Sequence, residues 1–365
     1  MSNPAERLQG LTLNGEWVVG AMEVRSAGAT GGNFSCCYSL TSTDGKRKAY
    51  LKALDYKKAL RAPNPSIALQ ALTESFNYEV RLCERCRGLD HVVHIIGRGQ
   101  VEVDPAADTG LVDYLILERG VGDIRSVMQF CGKMDLAFSL RTLHHAAVGL
   151  QELHGVDIKF LDMKPSNILV VPTPGTDVDA ARRAVEAGNA LLRKKAISKV
   201  TDLGRSADGD SLPPHVPDAF PGDPRYAPPE QLYRWRHPDQ EIRWRSADMY
   251  MFGNFCAFML CGANVTALTF DSMPDEFHWS RPNVTFEQVF EYLRDAYGKA
   301  RLVIADDIAE WCRASMMEML DQLCEPDPLA RGDRMKLGRA QYSLERYISR
   351  LDVLASRAES NIRHP

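Results

Sequence analysis

The sequence predicts an α+β protein of two unequal lobes. A small strand-rich lobe with one main helix spans residues 1–120, and a larger, mostly helical lobe spans 121–355. Three observations lead there. Apolar and polar residues alternate through much of the first hundred positions, the two-residue period of half-buried strands. After Gly122 the apolar spacing changes to three and four, the period of helices packed on one face. The 365 residues are 45% hydrophobic and 25% charged, ordinary values for a chain that buries a core and far from those of a disordered chain or a fibre.

The elements follow in order. Trp17–Arg25 alternates as a strand, and Ser26–Asn33 is turn-rich. Phe34–Thr41 and Lys48–Leu54 flank the hairpin signal Thr43-Asp44-Gly45. Ile67, Leu69, Leu72, Phe76, Val80 and Leu82 stand at mostly helical separations and predict a helix over Ser66–Cys86. Val92–Ile96 and Val112–Leu117 complete a five-stranded sheet, with Asp104–Gly110 as a polar turn between them. The lobes join near Leu117–Gly122. Beyond that join, Met134–Leu153 reads as a long amphipathic helix and Ile197–Val200 as a strand. Further helices are predicted from Arg245 to Met259 and around Thr285–Asp295, Asp306–Cys324 and Arg339–Ala355, before a polar, frayed tail over 356–365.

Two segments interrupt this pattern. Pro172–Lys195 reads as a surface excursion with a charged, helix-like stretch whose acidic residues precede its basic ones, as the helix dipole prefers. Asp208–Pro224 carries five prolines and predicts an irregular loop.

Composition also excludes function classes. A net charge of −4 gives no reason to expect general nucleic-acid or anionic-membrane partners. No charged-then-apolar leader opens the chain, and the apolar run around Phe255–Leu260 is far short of a membrane span. Nine cysteines, an odd and scattered set, predict reduced thiols and a cytoplasmic protein.

The chemistry concentrates in two runs. Phe160-Leu161-Asp162-Met163-Lys164-Pro165-Ser166-Asn167 places an acid, a base and an amide within six residues of a turn feeding an apolar strand. Lys199-Val200-Thr201-Asp202-Leu203-Gly204 follows, its acid placed where a strand stops at a glycine. Phosphoryl transfer needs such a set. One carboxylate orients the attacking hydroxyl and accepts its proton, while a second carboxylate and an amide oxygen bind the metal that bridges the phosphates. Carboxylates facing a triphosphate imply Mg²⁺ or Mn²⁺ between them.

At these residues the chain resembles the eukaryotic-type protein kinase family, over roughly residues 17–350. The resemblance implies a bilobal protein-kinase-like fold and transfer of the γ-phosphoryl group of ATP to a Ser/Thr hydroxyl of a protein substrate. In its terms Asp162 is the catalytic base, Lys164 the γ-phosphate-facing lysine, Asn167 the second metal ligand and Asp202 the principal one. Ala49-Tyr50-Leu51-Lys52 resembles the strand carrying the α/β-phosphate lysine, Lys52, and spacing to the next strand makes Glu79 its carboxylate partner. Anchoring Phe34 as the loop-tip aromatic puts Thr30 and Gly32 at the first two glycine positions of the phosphate loop, with Gly31 between them and Ser35 at the third. Leu117 falls at the gatekeeper position, Glu118 and Gly120 bracket the adenine-binding backbone, and Asp123 suits either ribose contact or a helix N-cap. Downstream, Tyr226-Ala227-Pro228-Pro229-Glu230 resembles the Ala-Pro-Glu region, with Arg331 as partner of Glu230, and Asp248 resembles the aspartate that holds the catalytic-loop backbone.

The chain departs from the family in its phosphate loop, where Thr30 and Ser35 stand at glycine positions, and at four further places. Leu161 replaces the arginine that binds an activation-loop phosphate, and that loop's only hydroxyls are Ser206 and Ser211, which implies activity without obligatory loop phosphorylation. Phe160 replaces the family histidine. Asp223 stands where serine/threonine kinases carry threonine, and is expected to accept a bond from Lys164 while repelling Asp162. The excursion 172–195 is either inert decoration or a docking surface for a regulatory protein partner. The competing functions are a pseudokinase acting as a nucleotide-binding or interaction module, and a small-molecule kinase.

Overall fold

In the computed structural model, residues 3–23, 35–103, 110–131, 135–187, 195–209, 211, 213–214, 222–336, 338 and 340–363 are described. Strands β1 (Thr12–Leu13), β2 (Trp17–Met22), β3 (Ser35–Ser42), β4 (Lys48–Leu54), β5 (Ile95–Glu102) and β6 (Leu111–Glu118) form one sheet in the order β1-β2-β3-β4-β6-β5. All pairings in it are antiparallel. The sheet has six strands rather than five, because Thr12 and Leu13 pair with Val18 and Trp17 across a tight turn. Alternation fixes its faces. Leu40, Ala49, Leu51, Ala53 and Ile116 pack against Leu8 and Trp17 on one side. Lys52, one residue out of phase and opposite Leu115, points to the other side.

Helices α1 (Tyr56–Leu60) and α2 (Pro65–Arg85) cross that second face. Helix α2 starts on Asn64, whose side chain accepts from the Ile67 amide, with Pro65 at the first position. The strand predicted at Val92–Ile96 begins only at Ile95. Residues 91–93 pair instead with Val200: Val93 N–H donates to the Val200 carbonyl and Val200 N–H to the His91 carbonyl, each at 2.8 Å. That segment joins the two lobes.

The second lobe is built from α3 (Ile124–Cys131), α4 (Leu136–Gly155), α5 (Val178–Ala187), α6 (Pro229–Leu232), α7 (Gln240–Cys261), α8 (Val265–Asp271), α9 (Phe286–Asp307), α10 (Glu310–Leu323) and α11 (Glu345–Arg363). Short strands β7 (Gly122–Asp123), β8 (Ile158–Lys159), β9 (Ile168–Pro172), β10 (Ala196–Val200) and β11 (Ala207–Asp208) carry the loops between them. Helix α7 is buried nearly all round, so its apolar stretch belongs to the core. A Cβ at its Gly253 would sit 2.3 Å from Cys324 Sγ, so glycine is what lets α7 and α10 approach. Among the described residues no single helix is long and apolar enough to cross a membrane.

Two expectations are corrected. The tail is not frayed up to Arg363: α11 packs on α4, and Arg141 binds Glu359 at 2.9 Å and Asp352 at 2.7 Å. The excursion is not solely a surface feature either. Its helix α5 buries Ala181, Ala184 and Val185 against α3 and β9, and Arg182 donates to the Val121 carbonyl at 3.2 Å.

Candidate active site

Four elements from both lobes bring the polar residues together. From β4, Lys52 Nζ meets Glu79 of α2 at 2.6 and 2.7 Å and lies 3.5 Å from Asp202 Oδ1. Burial alone would lower the lysine's pKa, but Glu79 and Asp202 outweigh it and raise the value above the ordinary lysine range. Burial pushes Glu79 upward against the pull of Lys52. Asp202 moves the other way, held below the usual carboxylate range chiefly by the Lys52 charge.

Asp202 follows β10 with φ +61°, a left-handed conformation costing a non-glycine residue about 1 kcal/mol. Its predecessor Thr201 is fixed by an N–H bond to the Asn167 carbonyl at 3.0 Å, tying the Asp202 turn to the catalytic loop.

In that loop Lys164 Nζ meets the Asp162 carboxylate at 2.8 and 3.0 Å. Asn167 Nδ2 donates to Asp162 Oδ2 at 2.8 Å and to the Asp162 carbonyl at 2.9 Å. Burial raises the Asp162 pKa to about 6 despite Lys164 beside it. Beneath, Asp248 accepts from the Phe160 and Leu161 amides at 2.9 and 2.6 Å and bonds His154 Nε2 at 2.8 Å. These bonds hold Leu161 at φ +57° and so aim Asp162.

The hinge is ordered by close packing. Leu117 is buried opposite Tyr50 and Ile95. The Glu118 carboxylate accepts from the His94 amide at 2.6 Å and from Lys199 Nζ at 2.9 Å, so its side chain is committed to β10. A Cβ at Gly120 would lie 2.5 Å from Leu169 Cγ, so only glycine lets the hinge backbone lie on the leucine that follows the catalytic loop. Asp123 acts as the N-cap of α3, accepting from the Ser126 amide at 2.8 Å. Thr30, Gly31, Gly32 and Phe34 lie outside the described residues.

The expectation for Asp223 is corrected. Its backbone N–H donates to Asp162 Oδ1 at 3.3 Å, and its carboxylate is gripped by Arg225 at 2.7 and 3.0 Å rather than by Lys164. Burial would raise its pKa, but the Arg225 bonds dominate and lower it. The guanidinium neutralises the charge that would have opposed Asp162. Spacing alone did not disclose Arg225, although an arginine two residues from an acid was a readable signal. Lys199 had none, its partner Glu118 lying 81 residues away.

A cation-binding role suits the donor set. Asn167 spends its amide nitrogen on Asp162, which leaves its amide oxygen as an acceptor, and the Lys52 charge favours the ionised form of Asp202. Both are hard oxygen donors, the kind Mg²⁺ takes when phosphates and waters complete its shell. Among the described residues no group of three or more acids, histidines or cysteines forms a ready-made metal cage.

The fold and this cleft define a class, and comparison with known proteins gives the family. The model of the protein kinase domain matches residues 28–342, and the chain belongs to that family. Among curated proteins it is similar to the serine/threonine-protein kinase PknA of Mycobacterium tuberculosis and to that of Mycobacterium bovis. Each is 25% identical over 177 residues, covering 45% of this chain and 35% of the relative. The match therefore spans about a third of the length of those relatives.

Proposed function

We propose that the chain is an ATP- and Mg²⁺-dependent protein kinase acting on Ser/Thr hydroxyls of a protein, without obligatory phosphorylation of the segment between Gly204 and Pro224. The observation that carries this reading is the convergence of Lys52–Glu79, Asp202 and the Asp162–Lys164–Asn167 triad in one cleft. Three carboxylates held that close cost stability unless cations stand among them. A catalytic arrangement explains why the sequence retains them.

In this reading Lys52, kept protonated and aimed by Glu79, binds the α- and β-phosphates. Lys164 neutralises the γ-phosphate. Asp162 receives the acceptor hydroxyl and takes its proton as the new O–P bond forms and the bond to ADP breaks. With a pKa of about 6 its carboxylate is mostly unprotonated at neutral pH. Asp202 and Asn167 are the residues that would hold a divalent cation, which supplies charge neutralisation at the phosphates. Leu117 and Gly120 shape the adenine site. Cys83, Cys86, Cys256, Cys261, Cys312 and Cys324 are free thiols, in keeping with a reducing cytoplasmic setting.

The test is ATP turnover with Mg²⁺ against generic protein substrates, for wild type and Asp162→Asn. The expected loss is about 10²–10⁴-fold, the range for removing a positioned general base. An unchanged rate sinks the mechanism. Thermal stabilisation by ATP with no turnover in wild type moves the assignment to a nucleotide-binding pseudokinase.

A further inference from the structure

Asp208, on β11, is nearly fully buried and faces two arginines of α2. Its Oδ2 meets Arg85 Nη1 at 2.7 Å and lies 3.6 Å from Arg81 Nη2. Tyr78, Arg81 and Arg85 fall at i, i+3 and i+7, so they share one face of the helix. The Tyr78 hydroxyl donates to the Ser206 carbonyl at 3.0 Å, and the Arg81 guanidinium lies over the Tyr78 ring and hydrogen-bonds the Ser211 hydroxyl. Arg85 also donates to the Val156 carbonyl, at the end of α4.

The other side of the same segment is stitched to the catalytic loop. Ala207 pairs with Lys159 and Asp208 with Ile158, while Ser206 Oγ donates to the Phe160 carbonyl at 3.3 Å. Leu161, at the position where the family places its phosphate-binding arginine, is buried against Ala207, Trp244 and Ala247. The cations at this junction come from α2, and the anion is a carboxylate written into the sequence. A carboxylate this buried is retained only with such partners.

We propose that Asp208, with Arg81 and Arg85, is the positioning cluster that holds α2 in place, keeping Glu79 on Lys52 with no phosphate on the segment between Gly204 and Pro224. This deepens, and rests on, the kinase reading of the Lys52–Glu79 pair. Hydrogen exchange along α2 tests it without requiring turnover, and phosphoryl-transfer rates test it again. Asp208→Asn should raise exchange of α2 amides about tenfold and lower kcat by a similar factor, with the KM for ATP changing less. Asp208→Glu should restore both. Arg81→Ala combined with Arg85→Ala, changes on the partly exposed side of the contact, should reproduce the defect if Asp208→Asn fails to fold. Phosphatase treatment of wild type should leave its rate unchanged.

Wild-type exchange in the arginine double variant, or a wild-type rate abolished by phosphatase, overturns the proposal. An enzyme with no turnover at all, yet with α2 loosened in these variants, would remove the kinase reading and leave the clamp standing.

Discussion

Replacing Arg331 with methionine should cost the second lobe about 3–5 kcal/mol, the range for leaving a buried charge without its partner. Arg331 is fully buried, and its Nη1 and Nη2 bind Glu230 at 2.7 and 2.9 Å. It also donates to the carbonyls of Ser246 at 3.0 Å and Glu325 at 2.9 Å, and lies over the Tyr250 ring. Methionine fills most of the same volume, so the loss comes from stranding the Glu230 carboxylate and those carbonyls rather than from a cavity. At about 2–4 °C per kcal/mol for a lobe of this size, Tm should fall by roughly 6–20 °C. Glu230→Leu added to Arg331→Met removes both charges and should recover much of that, giving a coupling energy of about 2 kcal/mol or more in a double-mutant cycle. Thermal and urea unfolding read the cycle. A single-variant shift under about 3 °C, or strictly additive single effects, would refute the claim that this pair fastens α6 to the helical core.

Two other outcomes are accessible to simple assays. Gly120→Ala drives a Cβ into Leu169 and should destabilise by about 1–3 kcal/mol while raising the KM for ATP more than it lowers kcat; an unchanged KM would contradict the assigned hinge contact. His145 is held neutral first by burial, then by the charges of His91, His144 and Arg141, and its Nδ1 accepts the Ser198 amide at 3.2 Å. Its folded-state pKa lies well below 6.5, so the unfolded chain takes up a proton first as pH falls. Stability is complete above that value and declines below it, by up to about 1.4 kcal/mol per pH unit. His145→Gln, which keeps an acceptor for Ser198, should flatten the Tm profile between pH 7 and 5.5; an unaltered slope would assign the dependence elsewhere.

Much of this arrangement was legible because local periodicity decides it. Lys52 sits one residue out of phase with Leu51 and Ala53, so alternation alone turns it away from the apolar face. Asp162 and Asn167 are close in sequence, and one turn forces them together. The insert was misread because its charged residues outweighed a stripe that was present: Ala181, Ala184 and Val185 recur at i, i+3 and i+4, the spacing of a buried face. The tail was misread for the same reason, its polar composition hiding Arg141 as a partner on another helix. Contacts such as Glu118–Lys199 and Asp208–Arg85 join residues more than eighty positions apart, where no periodic signal reaches. Only tertiary packing chooses them.

Leu161 also limits which side chains its position can hold. Arginine in its place would thrust a guanidinium into an apolar niche lined by Ala207, Trp244 and Ala247. On the proposed phosphate-independent reading, a phosphate-binding arginine at this position would need all three of those neighbours to change with it, so packing and the mode of control stand or fall together.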